Sequence, residues 1–215
     1  MPRFRGLGRA RSADAAHQLP NTMSSRIIEV HSRRVYSAHH ILLRIAKDSL
    51  SKATAKAPGW ADHQFVSIAL SSLAVEALCN AVGERAVPDW KDFESCSPKA
   101  KLRIICKYLN IDFKRDKEPW AAILWLSSLR NQIAHPKAEH VEQKTEVSES
   151  EHSNRHYRDA PKSSFEKQIT LNNAERAVSS VKKVVEIFAT NLPVDKQFGI
   201  YTDSWATSAS AKKGG

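Results

Sequence analysis

Apolar positions along this chain recur mostly at spacings of three and four, and no stretch alternates convincingly. Ile27, His31, Val35, Ala38, Leu42, Ile45 and Ser49 follow that rhythm, and Ile28, Ile41, Ala46 and Leu50 widen the stripe. The pattern predicts an amphipathic helix from Ser25 to Lys52, with Arg26, Arg33, Arg34, Arg44 and Lys47 on its polar face. Pro58-Gly59 marks a break. A second helix is expected from Trp60 to Val82, with Gly83 as its left-handed terminating residue. From Phe65 to Gly83 only Glu76 is charged, and a helix apolar on all sides belongs at the centre of a bundle.

A third helix is expected to start at Ser97-Pro98, with Ser as cap and Pro in the first turn. A fourth should start near Glu118-Pro119 and stop before Pro136, which pushes His135 out of helical geometry. Residues 136–170 mix seven acids and six bases with few apolar positions, as a long polar loop does. A last helix should begin at Asn172, with Glu175 as its capping-box partner and Pro193 beyond its end. The prediction is an all-α, up-and-down bundle of about five helices over residues 23–195. Residues 1–22 read as a disordered basic extension and 196–215 as a tail.

Charge sharpens this picture. The net charge is +10, of which residues 1–57 hold +8 and the remainder only +2. A basic N-terminal quarter favours an anionic partner such as nucleic acid, or simply aids solubility. No apolar run follows the arginines of residues 1–22, so no secretory signal is expected. The apolar second helix is long enough to span a membrane. Glu76, Asn80 and three serines argue against that reading, and no second span accompanies it. Three cysteines without a C-x-x-C fit a reducing compartment, the cytoplasm, better than a disulfide framework or a four-thiolate zinc site.

The most informative stretch is Leu129-Arg130-Asn131-Gln132-Ile133-Ala134-His135-Pro136. Asn131 and His135 are four apart and share a helix face. Arg130 lies about 140° from His135 around the helix. Arginine offers a fixed fork of donors for phosphate, histidine moves a proton near neutrality, and asparagine can orient either. Together they suit metal-free RNA cleavage, in which a base activates the ribose 2′-hydroxyl and a guanidinium steadies the charged phosphorane. The plainer alternative is a helix end whose basic residues complement the dipole.

Three features together resemble the HEPN family of helical bundles: the Ala-rich helix Leu73-Ala74-Val75-Glu76-Ala77-Leu78-Cys79-Asn80, the Lys-bearing third helix, and Leu-Arg-Asn-Gln-Ile-Ala-His-Pro. The resemblance runs from about Phe65 to His135. It implies a metal-independent, cofactor-free endoribonuclease of toxin–antitoxin or antiviral-defence type, leaving a 2′,3′-cyclic phosphate and a 5′-hydroxyl. It also implies a homodimer whose two motifs meet in one cleft, and a separate protein as any antitoxin. Carried over, Arg130 would contact the scissile phosphate, His135 would transfer the proton and Asn131 would position both. Some family members bind a partner protein, nucleotide or RNA without cleaving it, which is the alternative expectation. A third is a plain helical interaction protein.

Glu76 and Asn80 are a supporting pair, four apart on the central helix. A buried carboxylate needs a partner, and Arg130 or a helix start is expected to supply it. The pair would either hold Arg130 in a productive pose or lock two helices in register. His152 and His156 have zinc-compatible spacing but lie in the charged loop, so no metal site is assigned. His39 and His40 read as surface or edge packing. The five tryptophans could stack on bases, though helical Trp is more often core or interface.

Overall fold

The computed structural model describes residues 28–156, 160–201 and 204–211. The expectation for residues 1–22 lies outside them. The described residues are 60% helical, and six α-helices are found among them: α1 (Ala38–Thr54), α2 (Trp60–Ala86), α3 (Pro98–Tyr108), α4 (Trp120–Ala134), α5 (Glu149–Ser153) and α6 (Leu171–Asn191). Two strands, β1 (Ile28–Val35) and β2 (Ser204–Ala211), pair as a small ribbon. Two compact units result. One holds the bundle, and the other includes residues 28–32 and 207–211 of the ribbon.

Helix α2 is the hub, packing on α1, α3, α4 and α6. Its most extensive packing is against α1. Both helices bury small side chains, Ser67, Ser71 and Ala74 on α2 and Ala46, Ser49 and Ala53 on α1. Small residues let two backbones approach, which widens the area of dispersion contact. Around this pair Ile68, Leu78, Leu102, Ile105, Ile123, Leu126, Leu129, Val181 and Phe188 are fully buried and make one continuous core. Among the described residues α2 alone is long and apolar enough to cross a membrane, yet half of that stretch is buried inside the protein.

Local signals explain most helix ends. Gly59 precedes α2 at φ 74°, a left-handed conformation that costs glycine nothing. Ser97 Oγ accepts the Ala100 N–H at 3.3 Å and Pro98 opens α3, as expected. Glu118 accepts the Ala122 N–H at the start of α4 and also holds Arg176 of α6 at 2.8 Å through Nε. That carboxylate fixes where α4 begins relative to α6. At the other end of α4 the backbone leaves the helix at His135, φ −133° and ψ 61°, one residue before Pro136.

Five expectations are corrected. The first helix does not start at Ser25: Ile28–Val35 is a strand, every residue of it exposed, and α1 begins only at Ala38. Gly83 does not end α2, which continues to Ala86, because a Cβ at Gly83 would sit 2.3 Å from the Trp90 ring. Glycine is there for close packing. The last helix is capped by Thr170, whose hydroxyl accepts the Asn173 N–H at 3.2 Å, and not by Asn172 with Glu175. The polar loop 136–170 is not wholly irregular: it contains a short helix, α5, capped by a Ser148–Glu151 box. Finally, the expected tail from 196 is anchored: Ile200 is fully buried, and residues 204–211 form β2.

Candidate functional site

Glu76 projects from α2 and Arg130 from α4, and their side chains meet with Nη2 to Oε2 at 3.1 Å. The predicted partnership exists. Both side chains are about 30% exposed, 31% for Arg130 and 28% for Glu76, so the carboxylate is half-buried at the rim of the α2–α4 seam rather than deep in the core. Arg130 Nη1 donates a second, longer bond to Asn131 Oδ1 at 3.3 Å. The guanidinium is thus held by an acid from one helix and an amide from its own.

Asn80 is not part of that group. One turn along α2, its Oδ1 accepts a hydrogen bond from Lys101 Nζ at 2.9 Å. Lys101 on α3 is only 2% exposed. An amphipathic pattern reads such a lysine as solvent-facing, and sequence reasoning missed it. The two nearby thiols are inert. Burial pushes the Cys79 thiol far up despite the opposing charge of Lys101, and burial pushes Cys106 up to about 12.

Asn131 and His135, sharing the other side of the α4 end, line a cleft of about 840 Å³. Its remaining walls come from α2 and from the polar loop. Phe65 and Phe165 meet edge to face, with ring centroids 6.0 Å apart. Glu139 ties the loop to itself, accepting the Ser164 N–H at 2.9 Å and the Ser164 hydroxyl at 2.7 Å. Those bonds hold the Glu139 carboxyl below its usual range. Next to the cleft, Trp125 Nε1–H donates to Gln168 Oε1 at 2.8 Å, and Gln168 Nε2 reaches Gln132 Oε1 at 3.4 Å. The loop is therefore fastened across the end of α4 by several polar bonds.

Arg130 is not among the residues lining this cleft. The structure brings Glu76, Arg130 and Asn131 together, and brings Asn131 and His135 onto one wall. It does not bring Arg130 and His135 onto one surface, which follows from their angular separation around α4. Phe65, Phe165, Glu139 and Ser164 went unpredicted. Phe165 is the only phenylalanine in 136–170, which is the one trace the sequence carries of this wall.

The other candidates fall into place. His39 is 1% exposed, not at the surface, and its Nε2 bonds to the Ile200 carbonyl at 3.0 Å, while His40 Nε2 bonds to the Gly199 carbonyl at 2.9 Å. Among the described residues no group of three or more His, Cys, Asp and Glu side chains is placed to hold a metal ion. Trp90 and Trp120 are core, and Trp60 is about half-exposed. Trp125 lies under the Arg176 guanidinium, 5.6 Å from the ring centroid. Set against protein-family models, curated proteins and solved structures, the chain matches none.

Proposed function

We propose that this protein is a HEPN-type, metal-independent endoribonuclease that acts as a homodimer, in a toxin–antitoxin or defence setting with a separate antitoxin protein. The observation that carries the reading is the α4 end itself. A guanidinium oriented by Glu76 and Asn131 and an exposed imidazole beside a sizeable cleft are both presented there. In this reading RNA lies along the cleft. His135 removes the ribose 2′-hydroxyl proton, the 2′-oxygen bonds to phosphorus, and the P–O5′ bond breaks. The departing 5′-oxygen takes a proton from an acid. The products are a 2′,3′-cyclic phosphate and a 5′-hydroxyl. Arg130 stabilises the extra negative charge on the phosphorane, and Asn131 keeps the guanidinium aligned.

A second reading is favoured by one specific fact, that Arg130 is engaged by Glu76 and lies off the cleft wall. It is a non-catalytic HEPN module that binds a partner protein, nucleotide or RNA through the same cleft.

The test is cleavage of total RNA and of a defined oligonucleotide in EDTA, by wild type beside Arg130→Ala and His135→Ala. Wild-type cleavage leaving cyclic-phosphate ends is expected, with each variant reduced by about 100-fold or more. Equal cleavage by all three proteins removes the site assignment. No cleavage by folded, dimeric wild type favours the binding module.

A further inference from the structure

On the flank of the bundle between α1 and α6 lies a second concavity, about 250 Å³ in volume. Buried Leu43, Val185 and His39 line its inner side. Its rim is basic, with Arg44 and Lys47 from α1 and Lys182 from α6 all exposed at the opening. Among the described residues Lys47 and Lys182 form no ion pair, and Arg44 has only the longer-range attraction of Asp48. Asp48, one turn beyond Arg44, is taken by Lys52 at 2.8 Å. Glu186, one turn beyond Lys182 and also on the rim, forms no ion pair with it. Three like charges from two facing helices focus a positive potential in the concavity.

We propose that this concavity is a phosphate site, taking a phosphomonoester whose phosphate sits between Arg44, Lys47 and Lys182. Arginine supplies a planar fork matched to two phosphate oxygens, and the lysines add point charges. The volume falls below the roughly 300–1,000 Å³ of pockets that engulf a whole drug-sized ligand. It holds a phosphate with a small attached group and excludes a duplex. Tyr201, on the same rim and about half-exposed, offers a ring face to that attached group. This site is separate from the α4 end and does not depend on ribonuclease activity.

The experiment is isothermal titration of the full chain at constant ionic strength, with chloride as the balancing anion. The probes are inorganic phosphate, adenosine 5′-monophosphate and adenosine. Phosphate and the monophosphate are expected to bind, and adenosine is not. Tighter binding of the monophosphate identifies a nucleotide as the source, and equal binding identifies the free anion. An Arg44→Gln/Lys182→Gln double variant should lose about tenfold or more in affinity. Glu186→Gln should gain affinity, a result that misfolding cannot mimic. All three positions are exposed, so the circular dichroism of the variants should match wild type. Absence of heat with both phosphate probes overturns the proposal, and so does unchanged affinity in the double variant.

Discussion

The contact between Glu76 and Arg130 was legible because a lone carboxylate in the apolar stretch Phe65–Gly83 has to find a cation, and α4 carries one near its end. Asn80 follows no such rule. A neutral amide can serve many partners, so its bond to buried Lys101 had to be seen. His39 was misjudged for a related reason: it was read as part of a basic helix face, whereas the group it bonds is Ile200, far along the chain. Burial lowers its pKa from 6.5 to about 4, with the bond to the Ile200 carbonyl opposing and the charges of His40 and Arg85 assisting. The unfolded chain therefore takes up a proton near pH 6.5 that the folded chain refuses until about pH 4. Stability from this residue is complete above pH 6.5 and is lost progressively as pH falls toward 4, by up to about 3 kcal/mol. Urea melts at pH 7.5 and pH 5 should show wild type losing more stability than His39→Gln, which has no such proton to gain. Equal losses would assign the acid sensitivity to other groups.

At the scale of elements, the long helices were readable because most have one buried stripe at helical spacing and α2 is apolar nearly all round, and several of their ends follow proline and cap chemistry. The ribbon was not readable. Every residue of β1 is exposed, so no buried face imposes a period of two on its sequence, and chance spacing of Ile27, His31 and Val35 mimicked a helix. The composition of β2, SWATSASA, is equally uninformative. Gly83 shows the opposite failure, in which a familiar sequence signal was assigned the wrong cause. Its missing Cβ makes room for the Trp90 indole, which is 4% exposed and cannot swing aside as a flexible chain would. Gly83→Ala gains about 1 kcal/mol of helix propensity but overpacks a rigid ring at a cost of about 1–3 kcal/mol. The expected net result is a destabilised protein with altered tryptophan fluorescence. A stability equal to or above wild type in thermal melts would show that α2 and the 3-10 turn Trp90–Phe93 can separate freely.

For the whole molecule, the decisive matter is how two groups on different sides of one helix end could act on one phosphate. Within a chain Arg130 points to Glu76 while His135 faces the cleft. Sequence spacing foretold that divergence through the helical angle, but not where a second copy would sit. In the proposed homodimer, a two-fold pairing of α4 ends that set the arginine of one chain against the histidine of the other would offer a solution. Such a composite site makes a quantitative statement about mixed dimers. On the proposed reading, Arg130→Ala and His135→Ala chains should each be inactive alone, yet a heterodimer of the two would contain one site with both groups intact and one with neither. Random mixing puts half of the chains in heterodimers, so activity should return to about one quarter of wild type. If both groups acted within one chain, every site in every dimer would lack a member and no activity would return. Co-refolding equal amounts of the two variants and assaying the same oligonucleotide in EDTA distinguishes these arrangements. Recovery near one quarter would also establish the dimer as the catalytic unit, because no monomer in the mixture carries both side chains.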